Sequence, residues 1–429
     1  MSRQQLTLGV FGFGCVGYGL WQVLEKTPGL KAQIKKIGVK NKDKKRPFEG
    51  APLTFNPDDI LLDPEINLVV ELIDDSEAAF DIVKRALQQR KAVVSANKKM
   101  IAEHLDELIE LQEKYQTPLL YEAAVCASIP IIRNLEEYYD NDLLERIEGI
   151  VNGSTNYILT QISAHKIPYE QALLEAQEKG FAESNPKLDV EGWDSKYKLI
   201  LLIAHAFGTT LPPASIYHFG IERLGRQAFE YAQEKGLEIK LIASAQKIDD
   251  QKLNAWVIPQ FVLKDQLLGQ VKNEYNGVRT QTCFSENQFF LGKGAGAYPT
   301  ASAVISDISA LSYQYRYEYK KRKQAIGFEI DNTRNVHVFI QAQTDDLTKV
   351  ASYFHTLDVS HLSDEGGYLI GYIPLQQLWN LYQTLPIAVV MMGEGNTLTS
   401  PSIRPEIPAG RHQLIRFAFR NKPRRWPNE

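Results

Sequence analysis

The chain has 429 residues, 44% of them apolar and 23% charged, and a formal net charge of −4. That length implies two or three domains, and the charge excludes nucleic acid as the main partner, because no global basic field attracts phosphates. Three widely spaced cysteines (Cys15, Cys126, Cys283) exclude a disulfide framework and point to a reducing cytoplasm. No apolar run reaches the ~18 residues of a membrane span, and no signal-peptide pattern is seen at the N-terminus.

The first third reads as α/β. "LTLGVFGFG" is a buried strand ending in glycines, and "CVGYGLWQVLEKTPG" is a helix stopped by Pro28 and Gly29. Strands follow at "IKKIGVK", "INLVVELID", "KAVVSAN" and "PLLYEAAV", with helices at "SEAAFDIVKRALQQR" and "AEHLDELIELQEKYQ". Alternation of this length predicts crossover units on a parallel sheet. We place a Rossmann-type dinucleotide domain at 1–125. Residues 126–299 read as a mixed α+β domain. It has amphipathic segments at "IPIIRNLEEYYDNDLL", "TNYILTQISAHK" and "YEQALLEAQEKG", a helix from Trp193, and strands at "KLIASAQKI", "LNAWVIPQFV" and "NGVRTQTCFS". A helix in 300–320 is expected to pack back on the first domain. Residues 335–395 show a βαββαβ order, a ferredoxin-like module. The tail 396–429 carries seven Lys/Arg against two Glu and reads as a solvated arm that wraps a neighbour.

"GFGCVG" supplies Gly12, Gly14 and Gly17 between strand and helix, with Phe13, Cys15 and Val16 between them. The first glycine permits a tight turn, the second admits a pyrophosphate, and the third allows close packing. The helix N-terminus then favours the phosphates. The second strand ends in Lys40 and Asn41 rather than an acid. A cation there suits a 2′-phosphate and points to NADP, with NAD as the alternative.

"GFAESNPKLDVEGWDSKYKL" gathers Glu183, Asp189, Asp194 and Lys198 before an apolar helix. Asp194 and Lys198 are four apart and share one face. Read alone, they are a surface ion pair; read with their neighbours, they are a pocket for an ammonium group and a proton.

Taken together, "GFGCVG", "VVELI", "SANK", "EAAV…IPII", "GIVNGSTNYILT", "GFAESNPKLDVEGWDSKYK" and "GAGAYPTASAV" resemble homoserine dehydrogenase over roughly residues 6–320. The resemblance implies reversible NAD(P)H-dependent reduction of L-aspartate 4-semialdehyde to L-homoserine by a homodimer or larger homo-oligomer. It implies Lys198 as proton donor and Lys98 between nicotinamide and substrate. Glu183, Asp189 and Asp194 would bind the amino or hydroxyl end, and Gly153, Ser154 and Thr155 the carboxylate. Ser154 or Thr155 is also a candidate helix cap. Lys98, Ser95, Gly180, Glu183 and Gly296 would approach the cofactor. The Glu122 side chain and the carbonyls of Val125, Ala127 and Ile129 would hold a monovalent cation, sodium by analogy. Cys126 and Ser128 replace family glycines in that loop, Asp74-Asp75-Ser76 replace a Gly-Gly-Thr, and Phe181 replaces a Tyr. Two close lysines depress each other's pKa and nearby carboxylates oppose that.

The C-terminal module stands where the family has a regulatory ACT domain, but its first turn, "QTDDLTK", lacks Gly. Threonine inhibition and a purely structural role both stay open. Two further readings compete: a semialdehyde dehydrogenase with Cys126 as nucleophile, and a nucleotide-sensing regulator without chemistry.

Overall fold

A computed structural model describes residues 5–43, 50–140, 143–324, 327–364 and 366–393. The expected Pro/Arg-rich tail from 396 lies outside the described residues. The chain opens with β1 (Leu6–Phe11), α1 (Cys15–Glu25), β2 (Ala32–Gly38), β3 (Leu53–Thr54), α2 (Asp58–Leu61), β4 (Leu68–Glu71), α3 (Ser76–Gln88), β5 (Ala92–Ser95), α4 (Lys98–Tyr115) and β6 (Leu119–Leu120). These strands make a parallel sheet in the order β3-β2-β1-β4-β5-β6. Val69, Val70, Val93 and Val94 are fully buried, as expected for strands covered on both faces. The order in which strands are added reverses between β1 and β4, which opens the crevice where such sheets bind nucleotides.

The strand expected through Val125 stops at Leu120. Glu122–Ala124 is a 3-10 turn instead. The Glu122 carboxylate accepts the Ile132 and Arg133 N–H groups at 2.8 and 2.9 Å. Those N–H groups start α5 (Ile131–Glu137), so the backbone leaves the sheet to bring an anion to a helix N-terminus.

Next come β7 (Leu144–Ile150), α6 (Gly153–His165), α7 (Tyr169–Glu178), α8 (Lys187–Val190), α9 (Trp193–Phe207), β8 (Tyr217–His218), α10 (Arg226–Glu234), β9 (Leu237–Lys247), β10 (Lys252–Leu263), α11 (Leu267–Gln270), β11 (Tyr275–Thr282), β12 (Glu286–Lys293), α12 (Ala297–Leu311) and α13 (Lys320–Gln324). The amphipathic stretch expected to run to Leu144 breaks at Glu137, and β7 was not foreseen. Its charges hid it: Glu148 is buried in the sheet and pairs with Arg146 and Arg279, each at 2.5 Å. The helix expected to return to the first sheet is α12, which lies against α1. A Cβ at Gly19 would sit 2.9 Å from the Ala297 carbonyl.

The chain continues with β13 (Glu329–Ile330), β14 (Asn335–Ala342), α14 (Thr344–Ala351), β15 (Thr356–Ser363), β16 (Gly366–Pro374), α15 (Leu375–Thr384) and β17 (Ala388–Met391). From β14 onward this is strand–helix–strand–strand–helix–strand, with strand order β17-β14-β16-β15. These strands join the second sheet, which runs β12-β11-β7-β9-β10-β17-β14-β16-β15 and is mixed, because β10 meets β17 in parallel. No described helix is long and apolar enough to cross a membrane.

Candidate active site

The turn between β1 and α1 separates the three glycines by role. Gly12 has φ +99°, and a Cβ there would lie 2.6 Å from the Leu72 carbonyl. At Gly17 a Cβ would lie 2.4 Å from the Gly12 carbonyl, so this position packs strand against helix. At Gly14 a Cβ would meet nothing within 4 Å. The open space is at the one position where a phosphate has to approach. Phe13 is buried and Val16 half-buried. Cys15 is exposed at the start of α1, which has no side-chain cap and so leaves its first N–H groups for an anion. Lys40 is exposed just past β2. Gly180 (φ +74°) and Gly296 (φ +115°) are both exposed. Asp75 is accounted for structurally: its side chain caps α3 through the Ala78 N–H at 3.1 Å. Asp74 stays exposed.

The cluster forms around Asp194. Its two oxygens face two lysines: Lys98 Nζ lies 2.9 Å from Oδ1 and Lys198 Nζ 2.8 Å from Oδ2. Asp194 and Lys198 are buried on α9, so the pair is not a surface one. Burial alone would raise the Asp194 carboxyl, but the ammoniums of Lys198 and Lys98 more than offset it and hold it well below the ordinary range. The Asp194 charge, with Asp189 and Glu183 adding to it, raises Lys98 against the opposing effect of burial. The carboxylates therefore outweigh the mutual repulsion of the lysines at Lys98. Burial, then the Asp194 charge, push Asp189 upward. Glu183 is exposed at the rim.

Sequence reasoning passed over Asn152. Its Nδ2 donates to Asp189 Oδ1 at 2.7 Å and to Asp194 Oδ2 at 2.9 Å. Its Oδ1 accepts the Thr155 N–H at 2.8 Å. Asn152 is thus the cap of α6, not Ser154 or Thr155. The Ser154 hydroxyl donates instead to the Phe181 carbonyl, and the Thr155 hydroxyl to the Asn152 carbonyl. The sequence signal was present: Asn is a strong capping residue directly before a helix. A Cβ at Gly153 would lie 2.6 Å from the Glu274 carbonyl, so only glycine lets α6 begin this close to the strand.

Glu122, Val125, Ala127 and Ile129 do come together in one irregular buried loop, with Ala127 at φ +42°. The Ile129 carbonyl accepts the Ile131 N–H. Glu122 and Asp307 are two buried carboxylates against one guanidinium, Arg133, 3.1 Å from Asp307. Burial pushes Glu122 up to about 8 and Asp307 up to about 7. A hard cation held by oxygens would offset the cost of ionising two carboxylates in this buried loop.

Cys126 is fully buried, and desolvation pushes its thiol up to about 12. A thiol held that high is not a nucleophile at neutral pH, which removes the acyl-enzyme reading.

Comparison with known proteins gives the family. The family profile described as homoserine dehydrogenase, NAD binding domain, matches residues 12–122, and the homoserine dehydrogenase profile matches 130–309. A homoserine dehydrogenase of Bacillus subtilis is 31% identical over 374 residues, covering 83% of this chain and 86% of the relative. The chain belongs to the homoserine dehydrogenase family. A Synechocystis homoserine dehydrogenase is 36% identical, covering 70% of this chain and 72% of that one. The crystal structure of a Thiobacillus denitrificans homoserine dehydrogenase matches with a TM-score of 0.80 at 27% identity, over 91% of this chain and 99% of that one. Membership gives the reaction: this is an NAD(P)-dependent oxidoreductase that interconverts L-aspartate 4-semialdehyde and L-homoserine in the aspartate-family amino-acid pathway. The Lys98–Asp194 contact joins the two regions that the homoserine dehydrogenase profiles match separately.

Proposed function

We propose that Lys198 is the acid of this reaction and that Lys98 aligns the substrate beside the cofactor. The observation that carries the reading is the shared Asp194 carboxylate, 2.8 and 2.9 Å from the two ammoniums. An ammonium has three donors. Lys198 uses two, on Asp194 and on the Val151 carbonyl at 2.7 Å, which leaves one for the aldehyde oxygen. The bound nicotinamide supplies the hydride. Lys198 gives its proton to the oxygen as negative charge grows there. Lys98, its side chain 39% exposed, offers a route for proton return from solvent.

Asp189 and Glu183 receive the substrate ammonium. The Thr155 N–H and the Ser154 hydroxyl are occupied, so the carboxylate falls to the Gly153 and Ser154 N–H groups at the start of α6. Gly12 to Gly17, with Ser95, Gly180 and Gly296, would hold the cofactor. Lys40 favours NADP, and a hyperthermophilic archaeal homoserine dehydrogenase of TM-score 0.62 was solved in complex with NADPH. The Glu122 side chain and the Val125, Ala127 and Ile129 carbonyls would hold a monovalent cation such as sodium. We also propose the division into 1–125, 126–299 and 335–395, a cytoplasmic location, and a homodimer.

The last module is read as ACT-like with a structural task. Trp379 stacks on Tyr217 at 5.2 Å, and the Tyr382 hydroxyl accepts the Gly220 N–H at 3.1 Å. These contacts support the segment that follows α9.

The test is an assay of purified protein with L-homoserine and each nicotinamide cofactor, for wild type and Lys198→Ala, alongside a fluorescence titration of cofactor. Loss of turnover by about a hundredfold or more with cofactor affinity kept is the expected result. Full activity in Lys198→Ala overturns the assignment.

A further inference from the structure

The strand ends of the first sheet hold a hydrogen-bonded cluster around Glu71, a residue to which the roles above assign nothing. Glu71, the last residue of β4, is fully buried. Its Oε2 accepts the Ser95 hydroxyl at 2.6 Å, and its Oε1 accepts the Ile73 N–H at 2.7 Å. The Ser95 oxygen in turn accepts the Asn97 N–H at 3.1 Å. The Asn97 side chain donates to the Ile73 carbonyl at 3.0 Å and caps α4 through the Met100 N–H at 3.0 Å. The next residue in the chain is Lys98. One carboxylate therefore ties the loop after β4, at the nucleotide crevice, to the turn that carries a lysine of the site.

We propose that Glu71 is a positioning residue whose ionised form locks the Ile73 loop and the Asn97–Lys98 turn in one register, and whose protonation loosens that register through Ser95. The inference rests on the roles proposed above for Lys98 and for the crevice.

Ionised, Glu71 is acceptor-only and takes both donors at once. Protonated, it offers a donor toward Ser95. Ser95 can still accept Asn97 on its other lone pair, but its own proton must turn away to find a new acceptor. The cluster gains one proton, and the Ser95 hydroxyl loses its acceptor within it. Such buried networks hold a single geometry when every member is satisfied.

The titration falls in a useful range. Burial pushes Glu71 up to about 7, the Ser95 and Ile73 bonds pull the other way, and the Asp74 charge adds to the rise. Asp74, on the same loop, is the charged group that faces it; β5 and α4 present uncharged Ser95 and Asn97. With the folded pKa raised above the ordinary carboxylate value, the ionised, locked form grows as pH rises through about 7.

The experiment compares kcat and KM for homoserine oxidation from pH 5.5 to 9 in wild type, Glu71→Gln and Ser95→Ala, together with melting temperature and cofactor titration. Wild type should lose kcat/KM as pH falls through about 7. Glu71→Gln should be roughly tenfold slower at pH 8 and lack that bend, with cofactor affinity within about twofold. Ser95→Ala should lose the bend as well, and it carries the test if Glu71→Gln does not fold. A Glu71→Gln profile with the shape of wild type, even if uniformly lower, overturns the proposal. If Lys198→Ala keeps full activity, the catalytic reading fails separately, and the Glu71 profile is still read on its own.

Discussion

Lys98, the first residue of α4, meets Asp194 on α9 at 2.9 Å, so a lysine at the strand ends of the first sheet and an acid on a helix of the following region form one ion pair. Lys198 takes the other oxygen of the same acid. The arrangement makes Asp194 the hinge of the site, electrostatically and mechanically.

Asp194→Asn should therefore damage both folding and turnover. Removing one partner from a buried ionic cluster leaves the others uncompensated and costs about 3–5 kcal/mol, which urea denaturation at pH 7 would measure. The folded pKa of Asp194 is depressed. Its contribution is thus fully present above the unfolded carboxylate value of about 4 and is lost as pH falls through the lower folded value. Wild type should show this acid-side loss, and the variant should show less of it. Equal denaturation midpoints for the two proteins at pH 7 would argue against the claim.

Asn152→Asp separates capping from site assembly. The carboxylate still caps α6, so helix content should be kept, although a third buried negative charge is expected to lower the melting temperature. It cannot donate, however, and it sets a third negative charge against Asp189 and Asp194, 2.7 and 2.9 Å away. We expect kcat/KM to fall at least about tenfold, as for loss of a charge-assisted hydrogen bond. Unchanged steady-state kinetics would show that Asn152 matters only as a cap.

Lys40→Ala should weaken NADPH more than NADH. Loss of a charged contact to a 2′-phosphate is worth about tenfold in KM. The ratio of the two cofactors' kcat/KM values reads it directly, and an unchanged ratio moves the phosphate pocket elsewhere.

Sodium should stabilise the protein if Glu122 and its loop hold a cation. Melting in sodium chloride is expected to exceed melting in equal choline chloride by roughly one to three degrees. Glu122→Gln should abolish the difference. The same midpoint in both salts for wild type removes the cation site.

Much of this was legible in the sequence because the signals were local. "GFGCVG" sets a turn by glycine alone, and "INLVVELID" and "KAVVSAN" are apolar enough to declare buried strands. The unread parts depended on distant partners. β7 carries charged residues at Glu145, Arg146 and Glu148, and nothing local reveals that Arg279, on β11, pairs with Glu148. "PLLYEAAV" looked like a full strand because nothing local reveals that Glu122 must reach the start of α5. Spacing put Asp194 and Lys198 on one face, but Lys98 and Asn152 come from other elements, and only folding brings them to the same carboxylate. The departure at Asp75 proved to be a helix cap.

The parallel contact between β10 and β17 has a practical consequence. The end of the chain returns to continue a ladder that begins in the middle of it. A shortened enzyme ending near residue 334 would lose β17, β14, β16 and β15 together and bare the edge of β10 around Gln260 and the buried Phe261, while β8 and β13 still pair with its first half. An uncovered edge of that kind recruits other strands, so such a truncation is expected to clump in solution rather than yield a smaller soluble catalyst.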